Sequence, residues 1–243
     1  MMQALLLAVA LTLPARAVVV TATHGFRHES IEIAERTIAE LAERSGLFTV
    51  TFARNDDDLA RLFTPAALQS TDVVLFINTT GELPLPNRDA FIQWINAGGA
   101  FVGVHSASDT FHDYAPYLDM LGGEFDFHND HTAVLVFVEE RGNPATRFLP
   151  SPFTTFDEIY RFKRFDLARV QLLLALRGDP DTGEPTLLPI SWTRTQGDGR
   201  VFYTALGHRE DIWQAGWFQQ HLLGGIAWTM RVEEKARRRA ARF

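Results

Sequence analysis

The chain alternates short, wholly apolar runs with longer segments whose apolar residues recur every three or four positions. Val18-Val19-Val20, Val73-Val74-Leu75-Phe76-Ile77 and Phe101-Val102-Gly103-Val104 are runs of the first kind. Such runs read as strands covered on both faces, as in a parallel sheet. Residues 30–45 are of the second kind, with Ile31, Ala34, Ile38 and Leu41 on one helical face and Gly46 just beyond. Residues 48–53 alternate as a second strand, and 55–58 read as an acidic turn. A short helix begins near Pro65, and Pro86 opens another with Phe91, Ile92 and Ile95 facing inward. This β-α-β-α-β-α-β order predicts a doubly wound α/β fold, a mostly parallel sheet with helices on both faces. After His105 the pattern loosens into a helix over 114–121, a polar loop over 122–131 and a strand over 133–138. A proline-containing excursion over 141–156 leads to 157–160, a short strand or loop edge. Strands over 171–176, 187–193 and 200–205 and a closing helix over 214–231 complete the chain.

With 243 residues, 46% hydrophobic, the chain holds one large core, and no linker divides it. The single domain runs over 18–232, followed by a basic, solvated tail over 233–243. The net charge of -7 argues against a nucleic-acid partner. There is no cysteine, which excludes disulfides, thiolate metal sites and cysteine nucleophiles. The apolar run over 5–13, then Pro14-Ala15-Arg16-Ala17, has the form of a secretory leader over 1–17 cleaved after Ala17. That predicts a periplasmic or secreted protein; the alternative is a cytoplasmic one whose first strand has an apolar lead-in. The run is too short to span a membrane, and no later segment does so.

Three segments share one grammar: an apolar strand, a histidine, then a small or polar loop. They end in His24, His105 and His208. If the strands are parallel, these histidines share the carboxyl edge of the sheet, where open α/β sheets bind ligands. Two chemistries fit. Histidine with Asp109 or Glu158 can transfer protons near neutrality. Alternatively His24, His105 and His208 hold a divalent metal, zinc foremost. A serine hydrolase fits less well, because Gly103-Val104-His105-Ser106-Ala107 puts histidine where the nucleophile of an elbow stands. The loop after the first strand lacks the glycines of a dinucleotide site.

Several motifs, in order along nearly the whole chain, resemble the ThuA-like (trehalose utilisation) family. They are Thr23-His24-Gly25-Phe26-Arg27-His28-Glu29-Ser30, Gly103-Val104-His105-Ser106-Ala107-Ser108-Asp109-Thr110-Phe111, Asp157-Glu158-Ile159-Tyr160 and Tyr203-Thr204-Ala205-Leu206-Gly207-His208-Arg209, with Gly225-Ile226-Ala227-Trp228 near the end. The resemblance implies a flavodoxin-like fold similar to class I glutamine amidotransferases, with His105 in place of the amidotransferase cysteine. It implies a sugar or 3-keto-sugar substrate and isomerisation or elimination by proton abstraction beside a carbonyl. In that reading His105 is the base and Asp109 orients it. His24, His208 and Arg209 hold the oxyanion or hydroxyls, while Glu158 and Tyr160 supply a second acid/base group and a sugar contact. Gly25, Phe26, His28, Ser106, His128 and His131 complete the substrate-binding set. A homo-oligomer is compatible with this reading. The rival classes are a non-catalytic sugar-binding accessory protein and a metal-dependent hydrolase.

Overall fold

A computed structural model describes residues 13–241. In chain order the first half contains β1 (Ala15–Val20), α1 (Ile31–Ser45), β2 (Phe48–Ala53), α2 (Asp56–Leu62), α3 (Pro65–Gln69), β3 (Val73–Ile77), α4 (Arg88–Asn96) and β4 (Ala100–Val104). A 3₁₀ turn, His105–Asp109, follows. The second half contains α5 (Ala115–Leu121), β5 (Glu124–Phe127), β6 (Thr132–Val138), β7 (Phe153–Asp157), β8 (Arg161–Lys163), β9 (Gln171–Leu176), β10 (Leu188–Gln196), β11 (Gly199–Thr204), α6 (Glu210–Gln214), α7 (Gly216–Thr229) and α8 (Val232–Ala240).

Among the described residues the main sheet has nine strands in the order β2-β1-β3-β4-β11-β10-β9-β6-β7. The first five are parallel and the last four join antiparallel. The apolar runs are continuous because both faces are covered. Val19, Leu75 and Val102 pack under Ile38 and Leu41 of α1 and Phe218, Leu222 and Ile226 of α7. Val18, Val74, Phe76 and Phe101 face the opposite way, onto Leu59, Phe63, Phe91 and Tyr117. The doubly wound α/β expectation is therefore met. No helix among the described residues is long and apolar enough to cross a membrane.

Several local readings change. Residues 55–58 are a helix start: the Asn55 side chain accepts from the Asp58 N–H at 3.0 Å, and the acidic residues occupy the first turn of α2. Carboxylates are favoured there by the helix dipole, so the charge run disguised a cap. The polar loop over 122–131 contains β5, which pairs with β8 in a separate two-stranded ribbon. The closing helix is broken at Ala215, which is extended. The basic tail forms α8 and is tied to the domain through Glu233 to Arg147 at 2.7 Å and through Glu234 to Arg200. The apolar leader over 5–12 lies outside the described residues. Ala15–Ala17 open β1, opposite Phe48–Val50.

The ribbon is clamped to the sheet edge by His112. Its Nδ1 donates to Glu124 of β5 and its Nε2 to Asp109 of the 3₁₀ turn, each at 2.7 Å. Both ring nitrogens face carboxylate oxygens, so the imidazolium is the fitting form. Burial alone would lower the His112 pKa, but the two carboxylates outweigh it and the net shift is upward.

Two consequences are measurable. A Cβ on Gly225 of α7 would lie 2.6 Å from the buried Phe202 ring of β11. Gly225→Ala should therefore cost about 1–3 kcal/mol in a denaturant titration. For His112 the folded pKa exceeds the unfolded value of about 6.5, so its stabilisation is complete below that pH and fades as pH rises through the folded value. The melting-temperature gap between the native chain and His112→Gln should be wider near pH 6 than near pH 9; a gap independent of pH would exclude the ionised clamp.

Candidate functional site

Because β1, β4 and β11 are parallel, their carboxyl ends open on one edge. His105 is the first residue past β4, and its backbone is left-handed, with φ of 52°. That conformation costs a non-glycine residue about 1–2 kcal/mol. It is held from several sides. The His105 carbonyl accepts from the Tyr203 hydroxyl at 2.7 Å and from Ser108 Oγ at 3.3 Å. The ring Nδ1 donates to the Ala205 carbonyl at 2.7 Å. A carbonyl can only accept, so in the neutral ring the lone pair belongs to Nε2. Nε2 accepts from the Tyr160 hydroxyl at 2.9 Å and lies 3.5 Å from Glu158 Oε2.

Glu158 reaches this place because the antiparallel end of the sheet folds over. Strand β6 is shared: Phe137 and Val138 pair with β9, while Thr132–Val136 pair with β7. The end of β7 thereby returns over the centre of the sheet. Asp157 secures the return. Its carboxylate accepts the Gly207 N–H at 2.8 Å and the Glu158 N–H at 3.0 Å. Burial raises the Asp157 pKa despite these bonds and the nearby His105 and His208.

One ligand atom from each of His28, His105, Glu158 and His208 lies within 4.8 Å of the others. His208 Nδ1 is 2.9 Å from Glu158 Oε2, yet neither atom has a hydrogen-bond partner of good geometry. His28 packs edge-on against the rings of His105 and His208, at 4.8 and 5.1 Å between centroids. Its pKa falls to about 3, through burial first and then the neighbouring imidazoles. Burial would raise Glu158, but His105 and His208 more than offset it and hold the carboxyl far below the ordinary range. A neutral His28 beside an ionised Glu158 is a donor set suited to a divalent cation. At the rim, His128 Nε2 stands 3.5 Å from Glu158 Oε2 and His131 Nε2 3.9 Å from Oε1. The His131 Nε2 atom is buried and has no partner.

The expected residues divide as follows. His105, His208 and Glu158 converge, with Tyr160, His28, His128 and His131 around them. Ser106 Oγ sits 3.4 Å from His28 Nδ1. His24 stands apart, its Nε2 2.7 Å from Asp56 on the exposed side. Its backbone N–H donates to the Thr80 carbonyl, which fixes the loop so that His28 takes the inward place. His24 is thus not brought to His105 and His208; His28 and Glu158 lie with them instead. Asp109 does not orient His105. At three residues per turn a 3₁₀ segment aligns positions i and i+3, so Ser108 faces His105 and Asp109 turns to His112. Arg209 pairs with Asp211 at 2.9 Å and lies over the Phe156 ring at 4.9 Å. Gly25 and Phe26 form the loop between His24 and His28. Asp157 was missed as a site residue. Its signal was parity: Thr155 and Asp157 point inward on β7, and a carboxylate on a buried face must be bonded.

The family model for ThuA, described as trehalose utilisation, matches residues 16–229. No curated protein matches the chain. A ThuA-like protein from Parabacteroides merdae shares 18% identity over 89% of this chain and 90% of its own, with a TM-score of 0.73. One from Bacteroides uniformis shares 22% over 90% of this chain and 93% of its own, also at 0.73. The β-galactosidase of Rahnella sp. R3 shares 16% over 90% of this chain but 32% of its own length, at 0.56. These likenesses are of fold. The motif set, the sheet with its histidine-lined edge and the family match over most of the length agree, and the chain belongs to the ThuA (trehalose utilisation) family.

Proposed function

We infer that the chain is an enzyme of carbohydrate metabolism that moves a proton beside the carbonyl of a keto-sugar. One observation carries the reading: three imidazoles and one carboxylate bring their ligand atoms within 4.8 Å at the ligand-binding edge of the sheet. The family's association with trehalose supports a disaccharide-derived substrate. The leader-like apolar run over 5–13 supports work outside the cytoplasm.

A divalent cation, zinc foremost, held by His28, His105, His208 and Glu158, would polarise the carbonyl and stabilise the enolate left by proton removal. The proton itself needs a base that reaches the substrate. His105 is fully buried, with Nδ1 committed to the Ala205 carbonyl, so it holds position. His131 borders the cluster, its buried Nε2 unpartnered and 3.9 Å from Glu158 Oε1, and it is the group we assign to proton removal. His128, whose Nε2 is 3.5 Å from Glu158 Oε2, is assigned as the complementary acid. Arg209 lies across the rim for hydroxyl contacts.

A second reading has its own support. The Tyr160 hydroxyl occupies the His105 Nε2 lone pair at 2.9 Å, the position a cation would use. In that case no metal is needed, and Tyr160, His105 and Glu158 relay the proton themselves.

Metal analysis of the purified chain should find about one divalent ion, and His208→Ala should weaken its binding by at least about a hundredfold. Absence of any bound or bindable ion would leave the second reading alone. In heavy water the chain should exchange the protons flanking the carbonyl of 3-keto-trehalose, and His131→Ala should slow that exchange about a hundredfold. An unchanged rate would remove His131 from the role. Saturable sugar binding without exchange would make the protein an accessory binder.

A further inference from the structure

We propose that Tyr160 competes with the cation for His105 and thereby sets how tightly the cluster holds it. This inference rests on the reading of the cluster as a cation site. Its side chains are not equally ready. His208 Nδ1 and Glu158 Oε2 face each other at 2.9 Å, buried and without a hydrogen-bond partner of good geometry. His105 differs. Its Nδ1 is bonded to the Ala205 carbonyl at 2.7 Å, and turning the ring over would break that bond. Nε2 is therefore the nitrogen left for a cation, and the Tyr160 hydroxyl lies 2.9 Å from it. A phenol, with an ordinary pKa of about 10, keeps its proton at neutral pH and donates it to that lone pair. One lone pair serves one partner, so hydroxyl and cation exclude each other.

The hydroxyl has no easy retreat. Tyr160 is 3% exposed. Its ring packs against His105 at 4.4 Å, against Phe125 at 4.4 Å and against His128 at 5.6 Å between centroids. Phe125 belongs to β5, so a displaced ring presses on the ribbon that His112 clamps. Among the described residues His105 Nε2 is the one hydrogen-bond partner of the hydroxyl. Glu158 Oε2, 3.5 Å from the same Nε2, would be drawn to the cation as well. Loading the site therefore leaves a buried hydroxyl unpaired, and that cost is subtracted from the affinity. A partner that bonds the far nitrogen of a ligating imidazole, as the Ala205 carbonyl does, strengthens the ligand. Tyr160 sits on the ligating nitrogen itself, so its effect has the opposite sign.

Tyr160→Phe keeps the ring and removes only the hydroxyl. In calorimetric titration of the full chain with zinc chloride, the variant should bind about tenfold more tightly than the native protein. Zn²⁺ has a filled d shell, so ultraviolet changes on binding come from the protein. Zinc should perturb the tyrosine band of the native chain, and Tyr160→Phe should lose that signal. Without zinc the variant should melt below the native chain, because His105 Nε2 has lost its partner; saturating zinc should raise its melting temperature by more than the native one. A variant that binds zinc equally or more weakly, or a native chain that binds zinc with no tyrosine signal, would overturn the competition and leave the cation site standing. Zinc binding by the variant alone would show the competition in its strongest form. No binding by either chain would remove both the competition and the cation, leaving the proton relay.

Discussion

One buried carboxylate holds the two halves of this fold in register. Asp157 grips the N–H of its own neighbour Glu158 and, across the sheet, the N–H of Gly207. The strand that carries Asp157 is the far edge of the nine-stranded order, four places from β11. A flat sheet would keep them roughly 19 Å apart at the usual strand spacing of about 4.8 Å. Their contact requires the antiparallel end to fold over the carboxyl edge of the parallel half. Removing the carboxylate would leave two buried N–H groups without partners, each a loss of about 1–3 kcal/mol.

The chemistry of the cluster follows from that closure. Separately, His105 and His208 are residues at strand ends, with backbone carbonyls and hydroxyls around them. Once Glu158 arrives, an anion stands among several imidazoles in a site that water reaches only at the rim. The Glu158 side chain is 7% exposed, so attraction between it and the rings is weakly screened. Burial and repulsion among the rings keep His28 neutral, while the rings keep Glu158 ionised. The same side chains on an open surface would have neither property.

The parallel half was legible because its grammar is local. A strand covered on both faces is a continuous apolar run, and a helix against it shows a 3.6-residue stripe. His105 and His208 could be placed at the carboxyl edge of the sheet from strand direction alone. The choice between His24 and His28 could not, because it depends on the Thr80–Gly81 loop pressing on residues distant in sequence. Strands β5 and β8 are four and three residues long and pair across more than thirty positions, too short to leave a periodic signal. Asp109 was paired with His105 by sequence spacing, but the local 3₁₀ geometry rotated it away. Glu158 was marked by its motif, whereas its partner Asp157, equally part of that motif, disclosed its role only through strand parity.

The shared strand β6 has a consequence for how the molecule comes apart. The four cluster residues arise from loops after β1, β4, β7 and β11, so no contiguous stretch of chain contains the site. It exists only when the parallel core is assembled and the edge strands have folded back over it. Partial opening at the short β6–β9 junction, where Phe137 and Val138 pair with Ala175 and Leu174 and the Glu139 N–H donates to the Leu173 carbonyl, would remove Glu158 while leaving the other three residues in place. Any ligand that bridges Glu158 and the histidines therefore binds only the closed form and stabilises that short seam by mass action.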